Sequence, residues 1–380
     1  MRIGILNEQH DHRVAINPEV AQKLIAEGNE LWVEKNAGAQ AFFSDQDYAT
    51  AGAKLVEREQ ILKDTELVIS IHPVNGKELS QLQGKVYISS FAPFTEGVDL
   101  SPVAEAGITA LSLDMIPRST IAQSMDILSS MASIAGYLSV IEAAKHLPRY
   151  FPMLTTAAGT IPPAKVLVLG AGVAGLQAIA TAKRLGAVIE AFDTRAAAKE
   201  EVQSLGAKFV EVEGATDDKA AGGYAVEQSE EYKKKQQALI KEKIEKSDVV
   251  ITTAQLRGKR APILIKKDMV EAMNPGSVIV DLAASTGGNC ELTKNEAVIE
   301  HKGVTIIGNS NLAAELPMNA SQLYAKNIHN YLKVFLKEGK LELDFDNEII
   351  KSSCIAHDGT VRYENPFAAN HKPLEVENSN

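Results

Sequence analysis

The chain is poor in cysteine and carries no recognisable export signal. Its 380 residues include two cysteines, Cys290 and Cys354, and neither lies near a second Cys or His at metal-ligand spacing. This pattern predicts a reducing compartment and no metal site. The N-terminus lacks the basic region, apolar core and cleavage site of a signal peptide, so export is not expected.

Long apolar runs and clustered basic residues are also missing. Ser139 and Glu142 interrupt the stretch from 134 to 144, so no segment is expected to reach the ~18 residues of a membrane-spanning helix. The formal net charge is -10 at pH 7, which argues against a nucleic-acid partner and favours a small molecule or another protein. Hydrophobic residues at 45% and charged residues at 23% are typical of a folded globular protein.

Short apolar segments alternate with amphipathic ones in two series, which is typical of α/β domains with largely parallel sheets. The first series predicts strands at 2–6, 30–34, 66–71, 85–89 and 109–113. A continuous helix is expected to follow over about 125–147. The second series predicts strands at 166–169, 188–192, 208–212, 249–252, 277–281 and 304–307. Six strands match a complete dinucleotide-binding sheet.

The predicted fold is therefore α/β, with two Rossmann-like, doubly wound parallel-sheet domains joined by long helices. A helix from Pro317 to about Leu336 is expected to return to the first domain, and the residues beyond Leu341 are expected to form a small antiparallel appendage. The first domain is thus predicted to be discontinuous, with residues 1–127 and 317–380. The second domain is predicted at 128–316.

The second domain opens with a glycine motif in the segment AKVLVLGAGVAGLQAIATAKRLGA. A strand before the motif and an amphipathic helix after it give a strand-to-helix turn. Gly170 is expected to make the tight turn, Gly172 to let the backbone approach a pyrophosphate, and Gly175 to let the helix pack closely on the strand. Together with Val173 and Ala174, these glycines form the expected phosphate site at the helix N-terminus.

A carboxylate follows at the end of the next strand. Asp193 lies about 20 residues beyond the glycines, the position of the acidic residue that binds the adenosine ribose. Because this carboxylate would repel a 2′-phosphate, the segment of Asp193, Thr194 and Arg195 predicts NAD(H) rather than NADP(H). Arg195 leaves NADP(H) open as an alternative. A glycine-rich turn that binds nothing is the other alternative.

Several segments together resemble one family. They are TTAAGTIPPAKVLVLGAGVAGLQAIATAKRLGA, PRSTIAQSMDILSSMASIAGY, RVAINPEV, PGSVIVDLA and SQLYAKN. They resemble the NAD(H)-binding alpha subunits of the Re/Si-specific, proton-translocating NAD(P) transhydrogenases, which are related to alanine dehydrogenase. The resemblance implies direct hydride transfer from NADH to NADP+ on a partner subunit, coupled to proton translocation. It also implies a homodimer at the cytoplasmic face of the membrane, held there by separate membrane-spanning and NADP-binding chains.

The resemblance further implies which residues lie at the reacting end of the nucleotide. In that family an Arg, a Gln and an Asp lie against the nicotinamide, and the matching residues are Arg118, Gln123 and Asp126, followed by Ser129. Arg and Asp are expected to orient the carboxamide, and Gln to reach the second nucleotide. Helix capping and surface polarity are the alternative. Tyr224 matches the family's mobile loop, which closes over bound nucleotide.

Alanine dehydrogenase is the first alternative function. Its catalytic His, substrate Lys and catalytic Asp align with Ser90, about Ser70 and about Ser285, so three titratable groups are replaced by serines. Arg13 matches its substrate-carboxylate Arg but is expected to be ancestral or structural. His72 is expected to be an exposed loop residue.

A transhydrogenase tolerates these replacements, because direct hydride transfer between two nicotinamides moves no proton at the reacting carbons. A non-catalytic NAD-sensing module is the second alternative, and it would not need the Arg, Gln and Asp beside the ring. The sequence departs from the family at Ala313, Ala314 and Glu315, where a Pro-Ser-Arg run is expected. A local partner contact is therefore expected to differ, whereas the nucleotide site is not.

Overall fold

The computed structural model describes residues 1–95, 97–212, 230–255 and 258–363, and the chain divides into two units. Unit 1 comprises Met1–Met131 with Ala314–Asn380, and unit 2 comprises Ala132–Ala313. The domain boundaries that the sequence predicts lie between residues 127 and 128 and between residues 316 and 317. Each unit is built on one large sheet, so the predicted α/β class with two Rossmann-like sheets is confirmed.

Unit 1 contains an eight-stranded sheet. Its strands are β1 (Arg2–Ile5), β2 (Glu30–Glu34), β3 (Lys54–Val56), β4 (Leu67–Ile69), β5 (Val86–Ser89), β6 (Thr109–Ser112), β18 (Cys354–His357) and β19 (Thr360–Val361). The order across the sheet is β19-β18-β6-β5-β4-β1-β2-β3, and β1 to β6 pair in parallel. The six parallel strands therefore have the doubly wound order 3-2-1-4-5-6.

Helices cover both faces of this sheet. They are α1 (Pro18–Ala26), α2 (Asp45–Thr50), α3 (Arg58–Asp64), α4 (Gly76–Leu79), α5 (Ser101–Glu105), α11 (Pro317–Leu332) and α12 (Glu348–Ser353). Helix α1 begins after Asn17, whose side chain accepts the Val20 N–H at 3.1 Å, and Pro18 occupies its first position. Neighbouring residues of a strand face opposite sides of the sheet. Ile69 of β4 belongs to the same hydrophobic cluster as Tyr324 of α11, whereas Val68 belongs to a second hydrophobic cluster.

The C-terminal part of unit 1 is more than the small appendage that its sequence suggests. Helix α11 ends at Leu332, and a short hairpin of β16 (Leu336–Lys337) and β17 (Lys340–Leu341) follows. Strand β18 then pairs antiparallel with β6 and extends the main sheet. The pairing supplies hydrogen-bond partners to a backbone edge that would otherwise be open.

Unit 2 contains a seven-stranded sheet and a separate hairpin of β7 (Leu154–Thr156) and β8 (Gly159–Ile161). The sheet strands are β9 (Lys165–Leu169), β10 (Val188–Phe192), β11 (Lys208–Phe209), β12 (Val249–Thr252), β13 (Val278–Asp281), β14 (Val298–His301) and β15 (Val304–Ile307). Their order is β11-β10-β9-β12-β13-β15-β14, with β14 alone antiparallel among these pairs. When β14 is left out and the other six strands are numbered from 1 along the chain, their order is again 3-2-1-4-5-6.

Five further helices complete the description. They are α6 (Ile127–His146), α7 (Val173–Arg184), α8 (Ala198–Ser204), α9 (Glu230–Glu245) and α10 (Lys267–Glu271).

Within the described ranges, α6 is the one helix long and apolar enough to cross a membrane by length and composition. The expectation that no segment reaches this length is therefore wrong. The Ser139 hydroxyl donates to the Gly136 carbonyl at 2.8 Å, so it is satisfied inside the helix and does not interrupt it.

Helix α6 packs against α7 in unit 2. A Cβ on Gly136 would come within 2.1 Å of the Ala174 carbonyl oxygen, so glycine is what lets the two backbones approach. Val140 and Ala143 of the same helix are fully buried. These contacts place the middle of α6 in the core of unit 2, against the helix that begins at the glycine motif.

Candidate nucleotide-binding site

The glycine motif forms the turn between β9 and α7, as its sequence predicts. Gly170 has φ +102°, a left-handed conformation that favours glycine, and its N–H donates to the Phe192 carbonyl at 2.8 Å. Gly172 is the N-cap residue of α7, which starts at Val173. The first N–H groups of a helix have no acceptor within it, so this turn presents backbone donors and the positive end of the α7 dipole.

Two of the three glycines are required by the protein's own packing. A Cβ on Gly175 would lie 1.9 Å from the Gly170 carbonyl oxygen, and a Cβ on Gly170 would lie 2.5 Å from the Thr253 Oγ1. Neither overlap could be relieved by rotating the added group, since a Cβ position is set by the backbone. Gly175 therefore lets α7 pack on the turn, which is the role that its sequence position predicts.

Gly172 differs from its two neighbours in the motif. Its φ of -75° suits any residue, and a Cβ there would meet nothing within 4 Å. The protein itself therefore has no steric need for glycine at this position. The open space at the helix N-terminus is where a pyrophosphate would approach the backbone, and the residues present fit such a group.

This contrast predicts opposite behaviour for two single substitutions. Gly172→Ala should keep its stability within about 1 kcal/mol, yet weaken NADH binding tenfold or more, because the methyl group takes the pyrophosphate position. Gly175→Ala should lose about 3 kcal/mol or more of unfolding free energy, because overpacking a dense contact forces the backbone apart. Urea unfolding and NADH fluorescence titration measure the two effects. Wild-type NADH affinity in Gly172→Ala would contradict the placement of the phosphate.

Asp193 lies immediately after β10, beside the glycine turn. Its Oδ2 accepts the Ala171 N–H at 2.7 Å, and its Oδ1 accepts the Arg195 N–H at 2.8 Å. The side chain is 9% exposed, and the Arg195 guanidinium lies against it with Nε 3.0 Å from Oδ1. Thr194, between them, is half-buried. The structure thus brings the predicted ribose carboxylate to the predicted phosphate turn.

Three residues next to this turn are not singled out by the sequence. Thr253, just after β12, donates from Oγ1 to the Gly170 carbonyl at 3.0 Å. Asn289 accepts the Ala254 N–H at 3.0 Å and donates to the Ala254 carbonyl at 2.8 Å. Buried Asp281, the last residue of β13, accepts N–H groups of Asn289 and Cys290 and the hydroxyl groups of Thr252 and Thr293. The rule that ligands bind beyond the carboxyl ends of parallel strands would have indicated them.

The segment from Arg118 to Asp126 lies in unit 1. Arg118 and Gln123 are exposed, and Gln123 begins a short 3-10 turn, Gln123–Met125. The Ser124 carbonyl accepts from the side chains of Asn327 and Asn330, at 2.9 and 3.1 Å, which ties the segment to α11. The exposed side chains therefore project from an anchored backbone.

Asp126 and Ser129 form a helix cap. The Ser129 N–H and hydroxyl donate to the two Asp126 carboxylate oxygens at 3.0 and 2.6 Å, at the start of α6. This is the capping role that the sequence offers as the alternative to nicotinamide contact. A capped carboxylate keeps lone pairs for a further donor, so the two roles are compatible.

Unit 1 also contains a buried charged cluster at the carboxyl ends of β1 and β4. Arg13 is buried, and its Nε lies 2.9 Å from Asp11 Oδ1, while His72 Nε2 lies 2.9 Å from Asp11 Oδ2. Burial alone would raise the pKa of Asp11, but hydrogen bonds from Arg13 and His72 outweigh it and hold the pKa well below its usual range. The ion pair with Asp11 fits the structural role expected of Arg13. His72 is an exposed loop residue, as predicted, and its ring is paired with Asp11.

The aligned serines occupy three different environments. Ser70 is buried with its hydroxyl 2.6 Å from the Tyr87 hydroxyl, Ser90 lies 3.0 Å from the Tyr324 hydroxyl, and Ser285 is exposed. Ala313 and Ala314 are buried in a short turn, Leu312–Glu315. Tyr224 lies outside the described residues. Within those residues no group of three or more His, Cys, Asp or Glu side chains could hold a metal ion.

Two Rossmann-like sheets, one opening on this glycine turn with a carboxylate at the end of the next strand, are typical of the class of dinucleotide-binding proteins. The family model described as "Alanine dehydrogenase/PNT, N-terminal domain" matches residues 4–135, and that described as "Alanine dehydrogenase/PNT, C-terminal domain" matches residues 139–364. The chain belongs to the alanine dehydrogenase/PNT family.

Individual relatives include transhydrogenase alpha subunits and alanine dehydrogenases, and the chain is more similar to the former. The chain is 42% identical to an NAD(P) transhydrogenase alpha-subunit protein of Rickettsia prowazekii over 95% of its length and 96% of that protein. It is 28% identical to "Alanine dehydrogenase 1" of Staphylococcus aureus over 95% of its length and 94% of that protein. The crystal structure of a transhydrogenase from Sinorhizobium meliloti superposes with a TM-score of 0.87 at 42% identity, covering 95% of this chain and all of that one.

Proposed function

We propose that the chain is the NAD(H)-binding alpha subunit of a proton-translocating, Re/Si-specific NAD(P) transhydrogenase. Gly172 is the observation that supports nucleotide binding, because its open position at the start of α7 has no steric reason within the protein. Gly170, Gly172, Val173, Ala174 and Gly175 would hold the pyrophosphate. The higher identity to transhydrogenase alpha subunits than to an alanine dehydrogenase supports the choice of branch.

The proposed reaction needs no acid or base from the chain at the reacting carbons. The C4–H bond of the dihydronicotinamide breaks, both of its electrons leave with the hydrogen, and a C–H bond forms at C4 of NADP+. NADH is oxidised and NADP+ is reduced, so the atoms and electrons balance. What the protein must supply is position and the exclusion of water.

The resemblance assigns Arg118, Gln123, Asp126 and Ser129 to the nicotinamide end of the nucleotide. An exposed guanidinium at Arg118 and an exposed amide at Gln123 suit contacts with a carboxamide and with a second nucleotide. Asp126, with Ser129 fixing its orientation, would accept from the carboxamide amino group. Tyr224 is assigned, on the same basis, to a loop that closes over the nucleotide.

Partner subunits complete the proposed enzyme. NADP(H) would bind to a second chain, and proton translocation would pass through membrane-spanning chains that hold this one at the cytoplasmic face. A homodimer is also proposed. Exposed apolar side chains of unit 2 would be available to such a partner, namely Tyr137, Tyr150, Met153 and Ile161.

The proposal predicts that the purified chain binds NADH more tightly than NADPH. Asp193 would accept the ribose hydroxyls of NADH and repel a 2′-phosphate. Asp193→Ala should therefore weaken NADH binding and narrow the difference between the two nucleotides. Nucleotide fluorescence titration measures both affinities. Equal or tighter binding of NADPH to the wild-type protein would refute the assignment.

Alanine dehydrogenase activity is the competing enzyme function, and we predict that the chain lacks it. Ser70, Ser90 and Ser285 cannot hold or shuttle a proton as Lys, His and Asp do. Asp11 already occupies the Nε and Nη2 groups of Arg13, which leaves only part of this guanidinium for a substrate carboxylate. The assay is NADH formation from NAD+ with L-alanine. Turnover above ~1 per second, within the usual enzyme range, would favour the competing function.

A further inference from the structure

The hydrogen bonds of Asp193 bear on how the chain chooses its nucleotide. Oδ1 accepts the Arg195 N–H at 2.8 Å and the Arg195 Nε–H at 3.0 Å. Oδ2 accepts the Ala171 N–H at 2.7 Å and an Arg195 Nη2–H at 3.2 Å. A carboxylate offers about four lone-pair positions, so these four donors fill it.

The two hydroxyl groups of a ribose can therefore bind to the Asp193 carboxylate only if two of these four donors leave it. The N–H groups of Ala171 and Arg195 belong to the backbone of the turns and move only with them. The guanidinium of Arg195 can leave by side-chain rotation, and its side chain is already 31% exposed. Arg195 is thus the group that ribose binding would displace from Asp193.

The guanidinium is also held at the phosphate turn. Its Nη2 donates to the Ala171 carbonyl at 3.0 Å, and Ala171 lies between Gly170 and Gly172 in the turn. The hydrogen bonds to Asp193 raise the pKa of the Arg195 guanidinium, which therefore keeps its positive charge in this pair. The positive charge of Arg195 thus lies beside the Asp193 carboxylate, which would bind the ribose hydroxyls, and the negative charge of this carboxylate balances it.

We propose that Arg195 is a latent site for a ribose 2′-phosphate, which Asp193 masks, so that the pair rather than Asp193 alone sets the preference for NAD(H). Guanidinium groups bind phosphate oxygens in a bidentate way. With Asp193 present, the Asp193–Arg195 pair has no net charge to offer a 2′-phosphate, which would also meet the Asp193 carboxylate. This inference rests on the proposed nucleotide site in unit 2.

A mutant cycle tests the inference. The proteins are the wild type, Asp193→Ala, Arg195→Ala and the double variant, each checked for folding by circular dichroism and titrated with NADH and NADPH at two salt concentrations. We expect Asp193→Ala to bind NADPH at least tenfold more tightly than the wild type does, with affinity that falls as salt rises. The double variant should lose this gain, since the effect of one substitution depends on the other residue.

Arg195→Ala gives a separate test that does not need Asp193→Ala to fold. Removing the competing guanidinium should leave NADH binding equal or tighter and should weaken NADPH binding, so the preference for NADH increases. Loss of NADH binding in folded Arg195→Ala would overturn the inference, because Arg195 would then be a direct ligand or a brace of the turn. Equal NADPH affinity in Asp193→Ala and the double variant would also overturn it. Failure of the wild type to bind NADH would instead refute the proposed function.

Discussion

Gln123→Asn is expected to slow hydride transfer in the reconstituted transhydrogenase complex by about 100-fold, while NADH affinity stays within a few-fold of the wild type. Shortening the side chain by one methylene withdraws its amide by about 1 Å, and misplacing reactants by that distance can cost this much in rate. Gln123 is exposed at the start of a turn that is tied to α11 through the Ser124 carbonyl. The backbone should therefore hold its position when the side chain is shortened. Single-turnover transfer from bound NADH to an NADP+ analogue on the partner measures the effect.

Three further variants are compared with Gln123→Asn in the same experiment. Gln46→Asn on α2, also exposed, is the matched control and should leave the transfer rate unchanged. Arg118→Ala and Asp126→Asn should lower both NADH affinity and transfer, by the ~1 to 3 kcal/mol of a lost polar partner. Asn is as good a helix cap as Asp, so Asp126→Asn removes the charge and preserves the start of α6. If Gln123→Asn transfers hydride at the wild-type rate, the reacting end of the nucleotide is not at this segment.

Asp11→Asn is expected to lower the free energy of unfolding of the chain by about 3 to 5 kcal/mol. It removes the carboxylate that pairs with the buried Arg13 guanidinium, and removing one partner of a buried ion pair costs this much. The Arg13 backbone N–H also loses its ionised acceptor, which lies 2.9 Å away. The measurement is urea unfolding followed by circular dichroism at pH 7.

The matched control is Glu19→Gln, another carboxylate-to-amide change in an ion pair of unit 1. Glu19 pairs with Lys23 at 2.7 Å, but these side chains are 52% and 47% exposed, so the loss should stay below about 1 kcal/mol. A loss in Asp11→Asn no larger than in this control would mean that Arg13 is stabilised by other groups.

The stabilisation by Asp11 should also depend on pH in a defined direction. Because folding holds the pKa of Asp11 well below its usual range, its contribution is complete above the unfolded value of about 3.9 and is lost as pH falls below it. The stability difference between the wild type and Asp11→Asn should therefore be present at pH 5 and shrink below about pH 4. A difference that grows on acidification would contradict the cause given for the shift.

Elements with a clear local pattern are the ones that the sequence predicts well. The parallel strands β1, β9 and β10 are mainly apolar runs within a few residues of their predicted bounds, and most of their residues are buried. Strand β14 is missed because its residues are exposed or half-buried, and such an edge strand shows little hydrophobic signal. Strand β18 is read as part of a separate appendage because pairing with β6, more than 200 residues earlier, leaves no local mark.

For the candidate site, the sequence by itself determines the glycine turn, the Asp193 carboxylate and the family, since each depends on residue types at short spacing. Only the tertiary structure decides that Thr253 supports Gly170, that Asp11 pairs with Arg13, and that Arg195 and the Ala171 N–H together fill the acceptors of Asp193. Two of these are short-range pairs in sequence, but whether such side chains meet depends on turns that long-range strand pairing holds in place. Local spacing specifies which groups are available, and the packed sheets specify which of them meet at hydrogen-bond distance.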